Sequence, residues 1–168
     1  MVEAQADRVL PVPAARAFEE ATDLTRADWL PAVRRLRHLG GPARGVGARY
    51  QAEVEVPGHR LHGVLRCTEL DAPRRAVYEL EGGLDLAIVV AVQPAEQGCR
   101  VELRVRYAIG GLAGRALERA TIGPARREMV HALATLAGRV EARGRSAAGG
   151  ARTSNGDSAG AGRGPAGN

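Results

Sequence analysis

The fold is decided by residues 48–109, which read ARYQAEVEVPGHRLHGVLRCTELDAPRRAVYELEGGLDLAIVVAVQPAEQGCRVELRVRYAI. Apolar and polar side chains alternate through much of this stretch, a period of two that predicts β-strands. In its first run the apolar positions are Ala48, Tyr50, Ala52, Val54 and Val56. Because Pro, Gly and Asp separate the successive runs at short intervals, we predict an antiparallel meander.

The later strands of the meander are predicted over residues 60–70, 76–81, 84–93 and 101–109. The run from Leu84 to Gln93 is almost wholly apolar, so it should lie centrally or be covered on both faces. The remaining runs alternate, which indicates one buried and one solvated face of the sheet.

The segment before the meander predicts a strand, two short helices and an edge strand. Val2–Leu10 alternates and is the first strand, and Pro13 opens a helix that runs to about Thr22. We expect Thr25 to cap a second short helix that ends before Pro31. Residues 33–39 then form a short edge strand.

The chain after the meander predicts one long amphipathic helix. Gly123-Pro124 marks a kink or a restart. From Pro124 to Ala142 the helix is about 28 Å long, enough to lie across a sheet. Its apolar side carries Met129, Leu133, Leu136, Ala137 and Val140. Residues 143–168 lack large apolar side chains and are predicted to be a disordered Gly/Ala/Ser/Arg tail, which leaves a single domain over residues 1–142.

Charge and composition narrow the possible functions. The net charge is +5, yet residues 1–142 hold 20 arginines against 18 acidic residues, while the tail holds four arginines against one acid. The basic excess therefore lies largely in the tail, and we predict no nucleic-acid binding by the folded part. The apolar runs are too short for a membrane-spanning helix, and the N-terminus does not have the pattern of a leader peptide. Cys67 and Cys99 stand alone, which favours reduced thiols and a cytoplasmic location.

Four short segments resemble the START-like (SRPBCC) superfamily, and more closely its polyketide cyclase/dehydrase and lipid transport group. They are LPVPAARAFEEATD at residues 10–23, DWLPAVRRLRHLGG at 28–41, GVGARY at 45–50 and LAGRALERATIGPARREMVHALATLAGRVE at 112–141. The likeness spans roughly residues 3–142 and is specific for fold, since none of the segments is a catalytic motif.

The resemblance implies an α+β helix-grip fold, in which a curved antiparallel sheet of about seven strands wraps a long C-terminal helix and two short helices follow the first strand. It also implies an apolar cavity between the sheet and that helix. Members of the family use this cavity for lipids, steroids, polyketides or plant hormones. Some members cyclise or aromatise polyketides, and others bind ribosomes or chaperones.

The strand parity and the helical periodicity together predict the residues that line this cavity. We expect a small hydrophobic or aromatic ligand there, bound by apolar burial and a few hydroxyl contacts. The three tyrosines would present hydroxyl groups to it or to solvent at the rim. The predicted ligand-binding residues are Trp29, Tyr50, Val54, Tyr78, Leu80, Leu103, Val105, Tyr107, Met129 and Leu133.

Two of the candidate residues leave alternatives open. Trp29 either covers the cavity entrance or serves as an ordinary hydrophobic anchor. Arg66 shares a strand face with His62 and Thr68, and the more apolar opposite face argues that Arg66 points to solvent; facing inward, it would pair with a ligand enolate or carboxylate.

The sequence leaves three functions in competition: a ligand carrier, a polyketide cyclase or aromatase, and a protein- or RNA-contacting module that uses the Arg-rich tail. No Ser-His-Asp order and no phosphate loop is present, and His59 and His62 lack a third metal ligand. We therefore assign no catalytic residue and predict neither a metal nor a cofactor. The expected partner is a small hydrophobic molecule, and the expected state is a monomer or a homodimer.

Overall fold

A computed structural model describes residues 2–30, 33–56, 59–82, 85–108 and 112–150. The elements follow the predicted order, and a short 3-10 turn separates α1 from β2. They are β1 (Val2–Leu10), α1 (Ala14–Thr22), the 3-10 turn (Leu24–Arg26), β2 (Val33–Gly40), β3 (Arg49–Val56), β4 (His59–Asp71), β5 (Arg75–Glu81), β6 (Asp85–Ala95), β7 (Gly98–Ala108) and α2 (Leu112–Gly150).

All seven strands join one antiparallel sheet in the order β1-β7-β6-β5-β4-β3-β2. Consecutive strands from β2 to β7 are neighbours, as a meander requires, and β1 closes the far side by pairing with β7 from Val2–Tyr107 to Leu10–Cys99. The apolar strand β6 lies inside the sheet, between β5 and β7. The predicted α+β helix-grip architecture is confirmed.

One face of the sheet carries the hydrophobic core, because the alternating apolar side chains of every inner strand point to it. The two helices cover this face: α2 packs against β1 and β7, and α1 packs against β6 and β7. From the helices, the core receives Ala17, Phe18, Ala21, Met129, Ala132, Leu133, Leu136, Ala137 and Val140.

The two helices are joined by a cluster of ion pairs around a buried carboxylate. Glu20 of α1 lies between two arginines of α2, with Arg139 Nη2 3.2 Å from Glu20 Oε1 and Arg143 Nη1 donating to Oε2. Arg139 also donates to the carbonyl oxygen of Arg26 at 2.8 Å and pairs with Asp28. This cluster fixes α2 against the segment that links α1 to β2.

Three details of the helices differ from the predictions. Asp23, not Thr25, caps the segment after α1: its carboxylate accepts from the Thr25 backbone N–H at 3.3 Å. The segment is a single 3-10 turn rather than a helix to residue 29, since only the Leu24–Arg26 backbone is helical. In α2 there is no restart, because Pro124 removes only one backbone hydrogen bond from a long helix.

The C-terminal boundary also differs from the prediction. The helix continues from Ala142 to Gly150, so the first eight residues of the predicted tail are helical. The rest of the predicted tail, 151–168, lies outside the described residues, as do the predicted turn at 57–58 and part of the turn at 82–83.

Candidate ligand site

The ten predicted ligand-binding residues lie together on the helix-covered face of the sheet. Nine of them belong to the buried core, and Val105 is partly buried and packs against it. Met129 and Leu133 come from α2, Trp29 from the segment before β2, and the others from β3, β5 and β7. The predicted set is thus one contiguous cluster, and its side chains are closely packed against their neighbours.

Two of the tyrosine hydroxyls in this cluster bond to the backbone. Tyr50 Oη donates to the carbonyl oxygen of Ala43 at 2.9 Å, and Tyr78 Oη donates to that of Thr22 at 3.4 Å. Burial raises the pKa of both phenols, and the effect is large for Tyr78. Both tyrosines therefore stay neutral, and each ties the sheet to a segment packed on it.

Trp29 is almost completely buried within the core, which favours the anchoring role over that of an entrance cover. Its indole Nε1–H has no hydrogen-bond partner among the described residues. Arg66 points to solvent, as its strand parity predicted, and its Nη1 lies 3.6 Å from Glu81 Oε1. Its guanidinium is therefore on the face of the sheet opposite the core.

An open cleft of about 360 Å³ lies beside the core, at the end of the sheet where α1 meets two loops. One wall is α1, the second is the loop between β2 and β3, and the third is the turn between β4 and β5. The lining residues are Ala15, Phe18, Glu19, Thr22, Arg44, Gly45, Leu70, Ala72, Pro73 and Tyr78. Phe18 and Tyr78 belong to the core as well, so the cleft reaches the helix-covered face of the sheet.

Two other clefts of similar size differ in chemistry. One lies between the 3-10 turn and β2 and is bordered by Arg26, Asp28, Arg34, Arg35 and Arg139. The other lies between β1 and α2, where Glu3, Asp7 and Arg126 contribute charge. Ligand sites for small apolar molecules are concave, mostly apolar and carry few polar groups. The cleft beside Phe18 and Tyr78 fits that description best.

The loop between β2 and β3, which carries Arg44, depends on glycines with positive φ. At Gly41 φ is +78°, and an added Cβ would lie 2.3 Å from the carbonyl oxygen of Gly47. At Gly45, which lines the cleft, φ is +99°. Such angles favour glycine because it lacks a Cβ. With the Tyr50 hydroxyl bonded to Ala43, the loop holds Arg44 in a defined place.

Arg44 is bound on one side by a buried carboxylate. Its Nη2 lies 2.8 Å from Asp23 Oδ2, and its Nη1 lies 3.6 Å from Glu19 Oε1. Asp23 also accepts from Arg26 Nε and Nη2 and from Thr25. Burial alone would raise the pKa of Asp23, but the hydrogen bonds from Thr25 and Arg26 and the charge of Arg44 lower it below its usual value.

Arg44, Phe18 and Leu70 line the cleft but are not among the ligand-binding residues predicted from the sequence. One signal was available in the sequence: Arg44 stands among Gly41, Gly45 and Gly47. Several glycines around one charged residue are typical of a tight loop that presents that side chain.

The described residues also bear on other chemistry. Both cysteines are free and buried, and burial raises the pKa of each thiol. Within the described ranges, no group of three or more His, Cys, Asp or Glu side chains could hold a metal ion. No helix in this part of the chain is long and apolar enough to cross a membrane.

Comparison with known proteins places the chain in a family context. A family model described as polyketide cyclase/dehydrase and lipid transport matches residues 1–141. Among solved structures, TTHA0849 from Thermus thermophilus is 23% identical with a TM-score of 0.71, over 84% of this chain and 98% of that chain. A comparison with curated protein sequences found no match.

Two further structures show how widely the architecture is shared. Ara h 8.0201 is 16% identical with a TM-score of 0.61, over 83% of this chain and 97% of that chain. SA2116 from Staphylococcus aureus is 9% identical with a TM-score of 0.65, over 86% of this chain and 96% of that chain. Because these identities are low, the likeness shows the fold alone.

Proposed function

Since the chain belongs to the polyketide cyclase/dehydrase and lipid transport family, we propose that it binds a small hydrophobic or aromatic molecule and acts as a carrier or binding protein. The ligand enters at the cleft between α1, the β2–β3 loop and the β4–β5 turn. Its apolar body lies on Phe18, Leu70 and Tyr78. The resulting complex would hold the ligand by shape and apolar burial, without a covalent bond.

The proposal is supported mainly by the cleft, whose lining is mostly apolar and includes the core residues Phe18 and Tyr78. Its volume of about 360 Å³ lies in the range of about 300–1,000 Å³ found for small-molecule sites. Burying about 200 Å² of apolar ligand surface contributes about 5 kcal/mol before the entropy cost of association. Since 5 kcal/mol alone corresponds to a dissociation constant of about 0.2 mM, we expect dissociation constants no tighter than about 0.2 mM for a ligand bound in the cleft alone.

The ten residues predicted from the sequence form the deeper part of the proposed site. They are closely packed, so a ligand that moves beyond the cleft must displace side chains such as Met129 or Leu133. Met129→Ala tests this step, because it removes volume between the sheet and α2. If the ligand reaches this depth, the variant gains affinity for a longer probe; if binding stops at the cleft, affinity is unchanged while stability falls by about 2–5 kcal/mol.

The test of the proposed function is titration with N-phenyl-1-naphthylamine, a neutral probe whose fluorescence rises in apolar surroundings. Wild type should bind it saturably at one site. Leu70→Glu places a charge on the cleft wall and should weaken binding about tenfold, since a desolvated carboxylate costs more than about 1 kcal/mol. Val9→Glu is the matched control, because Val9 is similarly exposed but lies on β1, away from the cleft.

Two outcomes count against the proposal. Absence of saturable probe binding by folded wild type would refute it. Equal loss of binding in the Leu70 and Val9 variants would show that the probe does not use this cleft. Circular dichroism on each variant separates loss of binding from loss of fold.

We rank binding above cyclisation because of the chemistry of the hydroxyl at the cleft. A cyclase needs a group that donates a proton to a developing enolate. Tyr78 is the phenol that lines the cleft, yet its pKa is raised by burial and its proton is directed to Thr22. A tyrosine in this state is a weak proton donor at neutral pH, whereas it serves well as an apolar surface for a bound ring.

A further inference from the structure

Arg44 reaches the cleft with its two terminal nitrogens in unequal surroundings. Nη2 is held at 2.8 Å by Asp23, whose side chain is only 4% exposed. Nη1 lies 3.6 Å from Glu19, whose side chain is 73% exposed. Arg44 itself is 47% exposed. One nitrogen is thus fixed within the protein, and the other is paired with a carboxylate that lies largely in solvent.

Asp23 acts as the fixed support of this arginine. Its carboxylate is buried at the end of α1 and accepts hydrogen bonds from Thr25 and Arg26 as well. Because these contacts stabilise the ionised form, Asp23 keeps its charge at neutral pH and holds the guanidinium toward the cleft. Such support positions a binding residue before its ligand arrives.

Glu19 is a weak partner that a ligand can replace. Ion pairs between exposed side chains contribute little, because water screens the charges and both side chains lose rotational freedom. The 3.6 Å separation is also longer than a charge-assisted hydrogen bond, which is about 2.7–2.9 Å. Rotation of Glu19 into solvent would leave Nη1 free to donate to another anion at the rim of the cleft.

We propose that the cleft selects an amphiphile with a carboxylate head group, which Arg44 Nη1 binds while the apolar chain or ring lies on Phe18, Leu70 and Tyr78. The planar guanidinium suits this role because it can hold Asp23 with one nitrogen and the ligand with another. This inference rests on the proposed function and specifies the ligand class for that cleft.

The experiment is displacement of bound N-phenyl-1-naphthylamine by decanoate and by decanol, which share a chain and differ in the head group. Wild type should prefer decanoate. Arg44→Gln should weaken decanoate about tenfold, as expected for loss of a partly exposed charged hydrogen bond, and leave decanol unchanged. Arg74→Gln removes an equal charge from the neighbouring turn, outside the cleft lining, and is the control.

Two further variants test the unequal roles of the nitrogens. Glu19→Gln removes the competing carboxylate and should strengthen decanoate about threefold without changing decanol. Arg44→Lys keeps the charge but has one ammonium, which Asp23 engages, so decanoate should weaken almost as much as in Arg44→Gln. If only the net charge mattered, Arg44→Lys would instead bind decanoate with wild-type affinity.

The outcomes separate this inference from the proposed function. If the neutral probe binds and decanol and decanoate displace it equally in all variants, the carboxylate preference is wrong and the binding function stands. If Arg44→Gln and Arg74→Gln weaken decanoate equally, Arg44 is not the contact. If the neutral probe does not bind at all, the proposed function itself fails.

Discussion

Asp23→Asn should lower the free energy of unfolding by about 2 kcal/mol at pH 7. Hydrogen bonds to a charged group are worth about 1.5–3 kcal/mol each when the partners are buried. Here the arginine partners Arg26 and Arg44 are about half exposed and regain water when the charge of Asp23 is lost. The combined contribution of their hydrogen bonds to the free energy of unfolding is therefore much smaller than that of buried partners. Asparagine also keeps one oxygen that accepts from Thr25.

The measurement is thermal unfolding followed by circular dichroism between pH 2.5 and 7. For a chain of this size, about 2 kcal/mol corresponds to a decrease in Tm of about 4–8 °C. The control is Asp28→Asn, since Asp28 is mostly exposed and its pair with Arg139 should contribute less than about 0.5 kcal/mol.

The stability contribution of Asp23 should depend on pH in a defined direction. The pKa of Asp23 is lower in the folded protein than its unfolded value of about 3.9. Its contribution is therefore fully present above about pH 4 and disappears as the pH falls through the folded-state pKa. The difference in Tm between wild type and Asp23→Asn should therefore become smaller as the pH falls from about 4 to 2.5. A difference that stays constant from pH 7 to pH 2.5 would refute the reasoning.

Three other variants test the supports around the cleft and the helices. Tyr50→Phe should lower the free energy of unfolding in urea by about 1 kcal/mol, because the carbonyl oxygen of Ala43 loses its hydroxyl donor. Unchanged stability would contradict a contribution from this hydrogen bond. Gly41→Ala should destabilise by about 1–3 kcal/mol because of its positive φ and the clash with the loop, whereas Gly40→Ala, with open space around it, should be nearly neutral. Glu20→Gln should lower stability by about 1–3 kcal/mol in thermal unfolding, since Arg139 loses a buried partner; an unchanged Tm would mean that this cluster does not join α1 to α2.

The sequence was sufficient for the strands because the strand signal is local. Alternation in Ala48–Val56 placed Tyr50, Ala52 and Val54 on one face, and that face is the buried one. The apolar run of β6 likewise predicted an interior strand. In the same way, the more apolar parity of β4 predicted that Arg66 points to solvent. In each case the side-chain period of the strand determines which residues are buried, whatever the rest of the chain does.

The candidate site was only partly accessible from the sequence. The core cluster from Trp29 to Leu133 could be listed from parity and helical spacing. The cleft could not, because its walls come from α1, a glycine loop and a turn that are far apart in the chain. Arg44 and Asp23 are 21 positions apart and carry no mutual spacing rule, so their contact depends on how α1 and the loop pack on the sheet.

By itself, the sequence determined the order of elements, the face of each strand that is buried and the family to which the whole architecture belongs. The order of elements and the buried faces follow from short-range periodicity, because the local free-energy preference is the same wherever the segment lies. The family follows instead from the resemblance of the four quoted segments. Tertiary packing alone decided where open space remains and which charges meet beside it. Those properties depend on the docking of α1, α2 and the β2–β3 loop, since small shifts in packing open or fill a space of this size.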